Sequence, residues 1–207
     1  MELLLIRHAL PVRRELLAGA ADPELSPAGR AQAGHLAEYL ATESIDAVYT
    51  SPLRRAVETS APLADRHGLD PLIVDDVAEW DRMSPEYVPV EELKASDDQR
   101  WRDLVAGVWT SDETPDGFRA RVIAAIELLV GSHPGGRIAV VCHGGVINAY
   151  LAAVLGLDPA RPGFFYPNYT SIHRVMAAAT GQRSILTINE TVHLRGTGLP
   201  IGLHQTG

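Results

Sequence analysis

The feature that most constrains this chain is a regular alternation of short apolar runs with amphipathic stretches. The first third reads as four segments in order, ELLLI, SPAGRAQAGHLAEYLA, IDAVYT and LRRAVETSAPLADRHG. A strand followed by a helix, repeated, is typical of a parallel sheet covered by helices. We therefore predict an α/β fold, a three-layer sandwich with a mostly parallel sheet and helices on both faces.

Local signals along the chain support this prediction. Ser26 followed by Pro27 is typical of a helix start, because serine caps the first backbone N–H groups and proline suits the first helical position. PLIVDD predicts a further strand, and residues 90–107 and 116–131 predict helices. IAVVC predicts another strand, and HGGVINAYLAAVLG predicts a helix that ends at Gly156. SIHRVMAAA and SILTINE flank the turn TGQR, which predicts a hairpin that supplies an antiparallel edge strand.

One segment differs from the rest in charge. Residues 75–118 hold half of the 26 acidic residues but only four of the 18 lysines and arginines, together with all three tryptophans. We predict that they form a helical, lid-like insertion over the active site; a solvated surface flap is the alternative. The whole chain, residues 1–207, fits a single domain that includes this insertion and a glycine-rich tail at 194–207.

Composition excludes several classes of function. The formal net charge of -8 disfavours nucleic-acid binding, which needs a basic face. No apolar stretch approaches the roughly 20 residues of a membrane span. The single cysteine, Cys142, excludes an internal disulfide framework and suits a reducing compartment, so we expect a cytoplasmic protein without membrane partners. The sequence is compatible with a homodimer and does not fix the oligomeric state.

Three predicted strands end in cationic residues. The first ends in Arg7 and His8, the second runs into TSPLRR with Arg54 and Arg55, and the third ends in CHGG with His143. Ligands of open α/β sheets bind outside the carboxyl ends of the strands, so these side chains are expected to converge. Convergence of two histidines and at least two arginines predicts a site for an anion.

The residue types favour a phosphoryl group as that anion. Arginine forks match phosphate oxygens bidentately, and the amides of Gly144 and Gly145 open a helix whose N-terminus favours negative charge. The inferred partner is a small phosphorylated metabolite. With this many cationic groups present, we expect neither a metal ion nor a cofactor.

The segments LLIRHA, LSPAGRAQA, YTSPLRRAVET and VVCHGGVINA resemble, in order, the motifs of the histidine phosphatase superfamily, also called phosphoglycerate mutase-like. The resemblance implies that His8 is the nucleophile and that Arg7, Arg55 and His143 hold the phosphoryl oxygens. It also implies a carboxylic acid that protonates the leaving oxygen. Glu79 in VAEW matches that position, with Asp81 as the alternative.

The resemblance has one departure and one weaker extension. The usual Arg-His-Gly of the family is Arg-His-Ala here, so Ala9 adds a methyl group beside the site, which a wider backbone path can accommodate. PNYTS resembles a family segment near the rim of the active site, which makes Asn168 and Thr170 candidates for substrate contacts. A polar turn explains these two residues equally well.

These observations leave three hypotheses about function. The first is a phosphomonoesterase that forms phosphohistidine on His8 and uses Glu79 as general acid and base. A second is a phosphoglycerate-type phosphomutase, which returns the phosphoryl group to its substrate. A third is a catalytically idle phosphate-binding or interaction domain, suggested by Ala9 and the residues after it.

Overall fold

A computed structural model describes residues 1–111, 113–158 and 163–203. The strands in these ranges are β1 (Glu2–Arg7), β2 (Arg14–Glu15), β3 (Ala47–Thr50), β4 (Leu72–Ile73), β5 (Glu86–Tyr87), β6 (Arg137–Cys142), β7 (Ile172–Ala177) and β8 (Arg183–Glu190). The α-helices are α1 (Pro27–Leu40), α2 (Arg54–His67), α3 (Val90–Ala95), α4 (Gln99–Ala106), α5 (Pro115–Ser132) and α6 (Gly144–Leu155). Short 3-10 turns lie at Asp75–Val77 and Val192–Leu194.

Six of these strands form one mixed sheet in the order β4-β3-β6-β1-β7-β8. The first four are mutually parallel, whereas β7 runs antiparallel to β1 and β8 antiparallel to β7. The fold class predicted from the alternation is confirmed, including the hairpin that supplies the antiparallel edge. A separate two-stranded ladder joins β2 to β5 and so links the loop after β1 to the segment 75–118.

Both faces of the central strand β1 are buried. Leu3 and Leu5 pack into a core cluster with α5 and α6, whereas Leu4 and Ile6 pack into a second cluster with α1 and α2. Successive side chains of a strand point to opposite faces, so a continuous apolar run is what a strand between two helical layers requires.

Helix ends follow the predicted signals in most places. The hydroxyl of Ser26 accepts the N–H of Gly29 at 3.0 Å, and α6 is followed by Gly156 in the left-handed conformation.

The prediction of a single helix over residues 90–107 is wrong, because the chain breaks between α3 and α4. Asp97 has a φ of 49° there, and Asp98 caps α4 by accepting the N–H of Arg100.

The tail docks on the core as far as the structure describes it. The buried side chain of Gln32 donates to the carbonyl of Pro200, and the N–H of Tyr169 donates to the carbonyl of Ile201. Residues 204–207 of the predicted tail lie outside the described residues. Within the described ranges no helix is long and apolar enough to cross a membrane. The boundaries given for the insertion and the tail remain predictions.

Candidate active site

Strands β1, β3 and β6 are parallel neighbours whose carboxyl ends lie level. Arg7 is in register with Cys142, and Thr50 with Val141. The residues that follow therefore emerge at one edge of the sheet. The rings of His8 and His143 meet there, with centroids 5.2 Å apart, as the three strand ends predicted.

His8 is a buried imidazole held in one tautomer. Its Nδ1 lies 2.8 Å from the carbonyl oxygen of Ala9 and donates to it, which leaves the lone pair on Nε2. Burial lowers the pKa of His8 well below its ordinary value, and the charges of Arg55 and Arg7 lower it further. At neutral pH the ring is therefore uncharged and nucleophilic.

Ala9 is fully buried beside His8, and its backbone and its methyl group each have a partner. Its N–H donates to the hydroxyl of Thr59 at 2.9 Å, and Thr59 in turn donates to the backbone carbonyl of Arg55 at 2.6 Å. The methyl group of Ala9 packs with Leu25 and Ala33 in a small apolar cluster. The methyl group therefore has apolar neighbours of its own, and the hydroxyl of Thr59, which the sequence did not single out, holds the backbone at Ala9.

Arg7 is fixed between a carbonyl and an aromatic ring. Its Nη1 donates to the carbonyl of Pro167 at 2.6 Å, and its guanidinium lies 4.2 Å from the centroid of the Tyr169 ring. The Nε atom is buried and has no hydrogen-bond partner within the described part of the chain. Such a held but incompletely paired guanidinium suits an incoming anion.

Arg55 is the more deeply buried of the two arginines, with 2% of its surface exposed. Its Nη2 lies 3.3 Å from a carboxylate oxygen of Asp81, and its guanidinium lies 4.7 Å from the centroid of the Tyr87 ring. The Nε atom is also without a partner among the described residues. One long ion pair does not compensate a buried charge fully, so a bound phosphoryl group would complete the pairing.

His143 precedes α6 and is fully buried. Its Nε2 lies 2.7 Å from the hydroxyl of Ser51, while Nδ1 is buried without a partner in the described ranges. Burial lowers the pKa of His143 well below its usual value, and the charge of Arg55 adds to the effect. When Ser51 donates to Nε2, the proton of the neutral ring sits on Nδ1, which can then donate to a phosphoryl oxygen.

Glu79 lies at the N-terminus of α6. Its Oε2 accepts the N–H of Gly145 at 2.7 Å, and its Oε1 accepts the N–H of Trp80 at 3.1 Å. Burial raises the pKa of Glu79 to about 7 and the charge of Asp81 adds to the rise, whereas the two backbone hydrogen bonds and Arg55 oppose it. Asp81 is more exposed and pairs with Arg55. Of the two predicted candidates, Glu79 therefore has the environment of a general acid.

The remaining predicted residues divide into two groups. Gly144 lines the same cleft as Arg7, His8, Arg55 and Glu79. Thr170 does not, since its buried hydroxyl donates to the carbonyl of Tyr169 and lies 2.9 Å from Nε2 of His193. Asn168 also lies outside the lining of the cleft, and its N–H donates to the side chain of Asn189. The turn explanation therefore fits Asn168 and Thr170 better than substrate contact.

The backbone carbonyl of Cys142 accepts the N–H of His8 at 2.9 Å, whereas its thiol lies away from the site. It packs in the core cluster under α5 and α6, and burial raises the pKa of its thiol. A thiol held protonated in this way is a poor nucleophile.

The site opens into a cleft of about 1180 Å³. Many of its lining residues come from residues 79–111, with Glu113, and from residues 163–167, and His8 and Arg55 lie among them. This volume exceeds what a phosphoryl group needs, so the cleft has room for the organic part of a substrate.

Comparisons with known proteins agree with this arrangement. The model of the histidine phosphatase superfamily (branch 1) matches residues 3–191. Phosphoserine phosphatase 1 of Hydrogenobacter thermophilus is 30% identical over 202 residues, which cover 94% of each chain. Phosphoglycerate mutase-like protein 4 of Arabidopsis thaliana is 32% identical over 160 residues, or 72% of this chain and 68% of that protein.

Solved structures share the fold. A mycobacterial glucosyl-3-phosphoglycerate phosphatase superposes with a TM-score of 0.73 at 24% identity, covering 92% of this chain and 99% of that one. A phosphoserine phosphatase of Entamoeba histolytica, in complex with 3-phosphoglyceric acid, gives a TM-score of 0.73 at 24% identity, covering 93% and 98%.

Proposed function

Because the chain belongs to the histidine phosphatase superfamily (branch 1) and is a histidine-dependent phosphatase, we propose that it hydrolyses monoesters of small phosphorylated metabolites through a phosphohistidine on His8. One observation carries the proposal. The Nδ1 proton of His8 is bound to the carbonyl of Ala9, so that Nε2 offers its lone pair beside Arg7, Arg55 and His143. A cytoplasmic location and a homodimer remain predictions from the sequence.

In the first step Nε2 of His8 attacks phosphorus in line, and the bond from phosphorus to the ester oxygen breaks. Arg7, Arg55 and the Nδ1 proton of His143 stabilise the charge spread over the three equatorial oxygens. The protonated carboxyl of Glu79 gives its proton to the departing alkoxide. The first product is the free alcohol, and the enzyme keeps the phosphoryl group on His8.

In the second step a water molecule attacks the phosphohistidine. The carboxylate of Glu79 accepts a proton from that water as the bond between nitrogen and phosphorus breaks, which regenerates both neutral His8 and protonated Glu79. Inorganic phosphate is the second product. A pKa of about 7 suits both halves of this cycle, because neither protonation state is costly at neutral pH.

The test is a turnover and trapping assay on the purified protein. We expect release of inorganic phosphate from alkyl and aryl phosphates, an acid-labile phosphoenzyme after rapid quenching, and loss of both in His8→Ala. The matched control is His35→Ala, which removes an exposed imidazole and is expected to keep full turnover. Undiminished hydrolysis in His8→Ala would exclude the assigned nucleophile.

The same assay distinguishes the other two hypotheses. A mutase would return an isomerised phosphate ester with no free phosphate. An idle binding domain would release no phosphate from any ester and form no phosphoenzyme, although Arg7 and Arg55 would still bind inorganic phosphate.

A further inference from the structure

Helix α4 carries an apolar stripe that the protein covers only in part, with the ring of Trp101 6.1 Å from that of Tyr166. Trp101, Leu104 and Val105 recur at helical spacing, and Val108 continues the stripe just after the helix. All eight residues of α4 are described, and none of them is buried. Val105 and Val108 are 57% and 52% exposed. A stripe of this kind normally faces a core, so something other than the chain is expected to cover it.

The stripe faces the catalytic cleft. Leu104, Val105 and Val108 all line the cleft that contains His8 and Arg55. The apolar surface is therefore continuous with the phosphate pocket, and the group best placed to cover it is the organic part of a bound ester.

Other residues that line the cleft are also apolar or aromatic. Phe164, Phe165 and Tyr166 also line the cleft, and the rings of Phe164 and Phe165 are 4.7 Å apart. Met83, 71% exposed, adds a flexible apolar side chain to the lining. Together with the α4 stripe, these aromatic and aliphatic side chains would remove a bulky apolar group from water.

Charge in the outer cleft disfavours a second anionic group on the substrate. Arg100, a cationic lining residue there, is held by Glu86 and by Asp98. Even without Asp81, which pairs with Arg55, and Glu113, which pairs with Arg121, the described lining residues outside the phosphate pocket carry more acidic than basic side chains, with Arg82 and Arg100 against Glu86, Glu91 and Asp103. A carboxylate or a second phosphate would therefore enter a region of net negative charge.

From these observations we infer the substrate class: monoesters of one phosphate with a bulky, apolar and uncharged alcohol, whose apolar part lies on the α4 stripe. The inference rests on the proposed hydrolysis at His8 and adds what that hydrolysis acts on. It separates this chain from relatives whose names specify charged substrates such as phosphoserine.

The first test compares esters that share a primary alkoxide leaving group. We expect kcat/KM for 2-phenylethyl phosphate to exceed that for glycerol 3-phosphate and for phosphoserine by about tenfold or more, since burying a phenyl ring is worth at least that factor. Equal or reversed preference would overturn the inference while leaving the phosphatase assignment intact.

The second test alters the stripe. Val105→Asn and Val108→Asn are expected to lower the ratio of kcat/KM for the phenylethyl ester to kcat/KM for glycerol 3-phosphate several-fold. Leu128→Asn is the matched control, since Leu128 is an exposed apolar residue on α5 outside the cleft. A change in the control equal to that in the stripe variants would refute the assigned surface.

A binding measurement tests the inferred substrate class independently of turnover. Calorimetry with 2-phenylethylphosphonate and methylphosphonate measures apolar recognition without any chemical step, and the former is expected to bind at least about tenfold more tightly. If no ester is hydrolysed but this difference is present, the proposed function fails and the apolar site stands. If the two phosphonates bind equally, the inference fails.

Discussion

Replacement of Gly145 by alanine tests the proton donor through backbone geometry without altering its chemistry. Gly145 is the second residue of α6, and its N–H holds the carboxylate of Glu79. An added Cβ would lie 2.9 Å from Cδ of Glu79 and closer still to Oε1. The backbone there is helical, so alanine is compatible with the local conformation, and its only conflict is with the acid.

The expected loss of activity in Gly145→Ala follows from the contact between the added Cβ and Glu79. Carbon atoms in contact prefer a separation of roughly 3.5 to 4 Å, so the carboxyl group must move by about 1 Å. A displacement of that size can cost about 10²-fold in rate. Alanine also favours a helix by roughly 0.5 to 1 kcal/mol over glycine. This gain offsets part of the cost of weakening the hydrogen bond between the N–H of residue 145 and Glu79. The free energy of unfolding should therefore change little.

The assay is kcat/KM for an alkyl and an aryl phosphate, measured in Gly145→Ala and in Gly144→Ala. We expect Gly145→Ala to lose about 10²-fold on the alkyl ester and far less on the aryl ester, whose leaving oxygen needs less protonation. Gly144→Ala should behave as wild type, because the nearest atom to its added Cβ is 3.9 Å away and its amide is retained.

Two results would refute this reasoning. If Gly145→Ala lost activity equally on both esters, the contact with Glu79 would serve folding or binding and not proton transfer. If Gly144→Ala lost as much as Gly145→Ala, the effect would belong to the helix end as a whole.

Two further predictions concern protonation and ring orientation. A pH–rate profile on alkyl phosphates should be flat from pH 5 to 6 and should fall about tenfold per pH unit above pH 7. The fall is expected because Glu79, with its pKa raised to about 7, loses its proton there. The profile of Glu79→Gln should lack this decrease above pH 7. Ser51→Ala leaves Nε2 of His143 buried and unpaired, so steady-state kinetics should show about a tenfold loss in kcat/KM on both ester classes alike.

The centre of the site was predictable from the sequence because it depends on strand order alone. Arg7 ends β1, and His8 and His143 directly follow β1 and β6, strands that the alternation predicted to be parallel and that the structure shows to be neighbours. Parallel neighbours deliver their next residues to one edge of the sheet. Ser26 and Gly156 were equally predictable, since capping and left-handed turns depend on a few adjacent residues.

The surroundings of the arginines could not be predicted in this way. Tyr87 and Tyr169, whose rings lie against Arg55 and Arg7, come from segments far from them in sequence, and no periodic pattern records such contacts. The break at Asp97 was missed for a different reason. Residues 90–107 were read as one helix because neither glycine nor proline marks the break, whereas the signal present was Ser96-Asp97-Asp98, residue types that cap helices and tolerate positive φ.

Burial favours the neutral form of both proposed catalytic groups. Removal of water disfavours the charged form of any group, so it lowers the pKa of His8 and raises that of Glu79. At pH 7 His8 is therefore neutral, and Glu79, with a pKa of about 7, is protonated in about half of the molecules. Arg55 and Arg7 reinforce the lowered pKa of His8, whereas Asp81 reinforces the raised pKa of Glu79 against the opposing charge of Arg55. The proposed neutral nucleophile and protonated acid can therefore coexist in one pocket because the acid is next to Asp81 and the imidazole is next to the guanidinium groups.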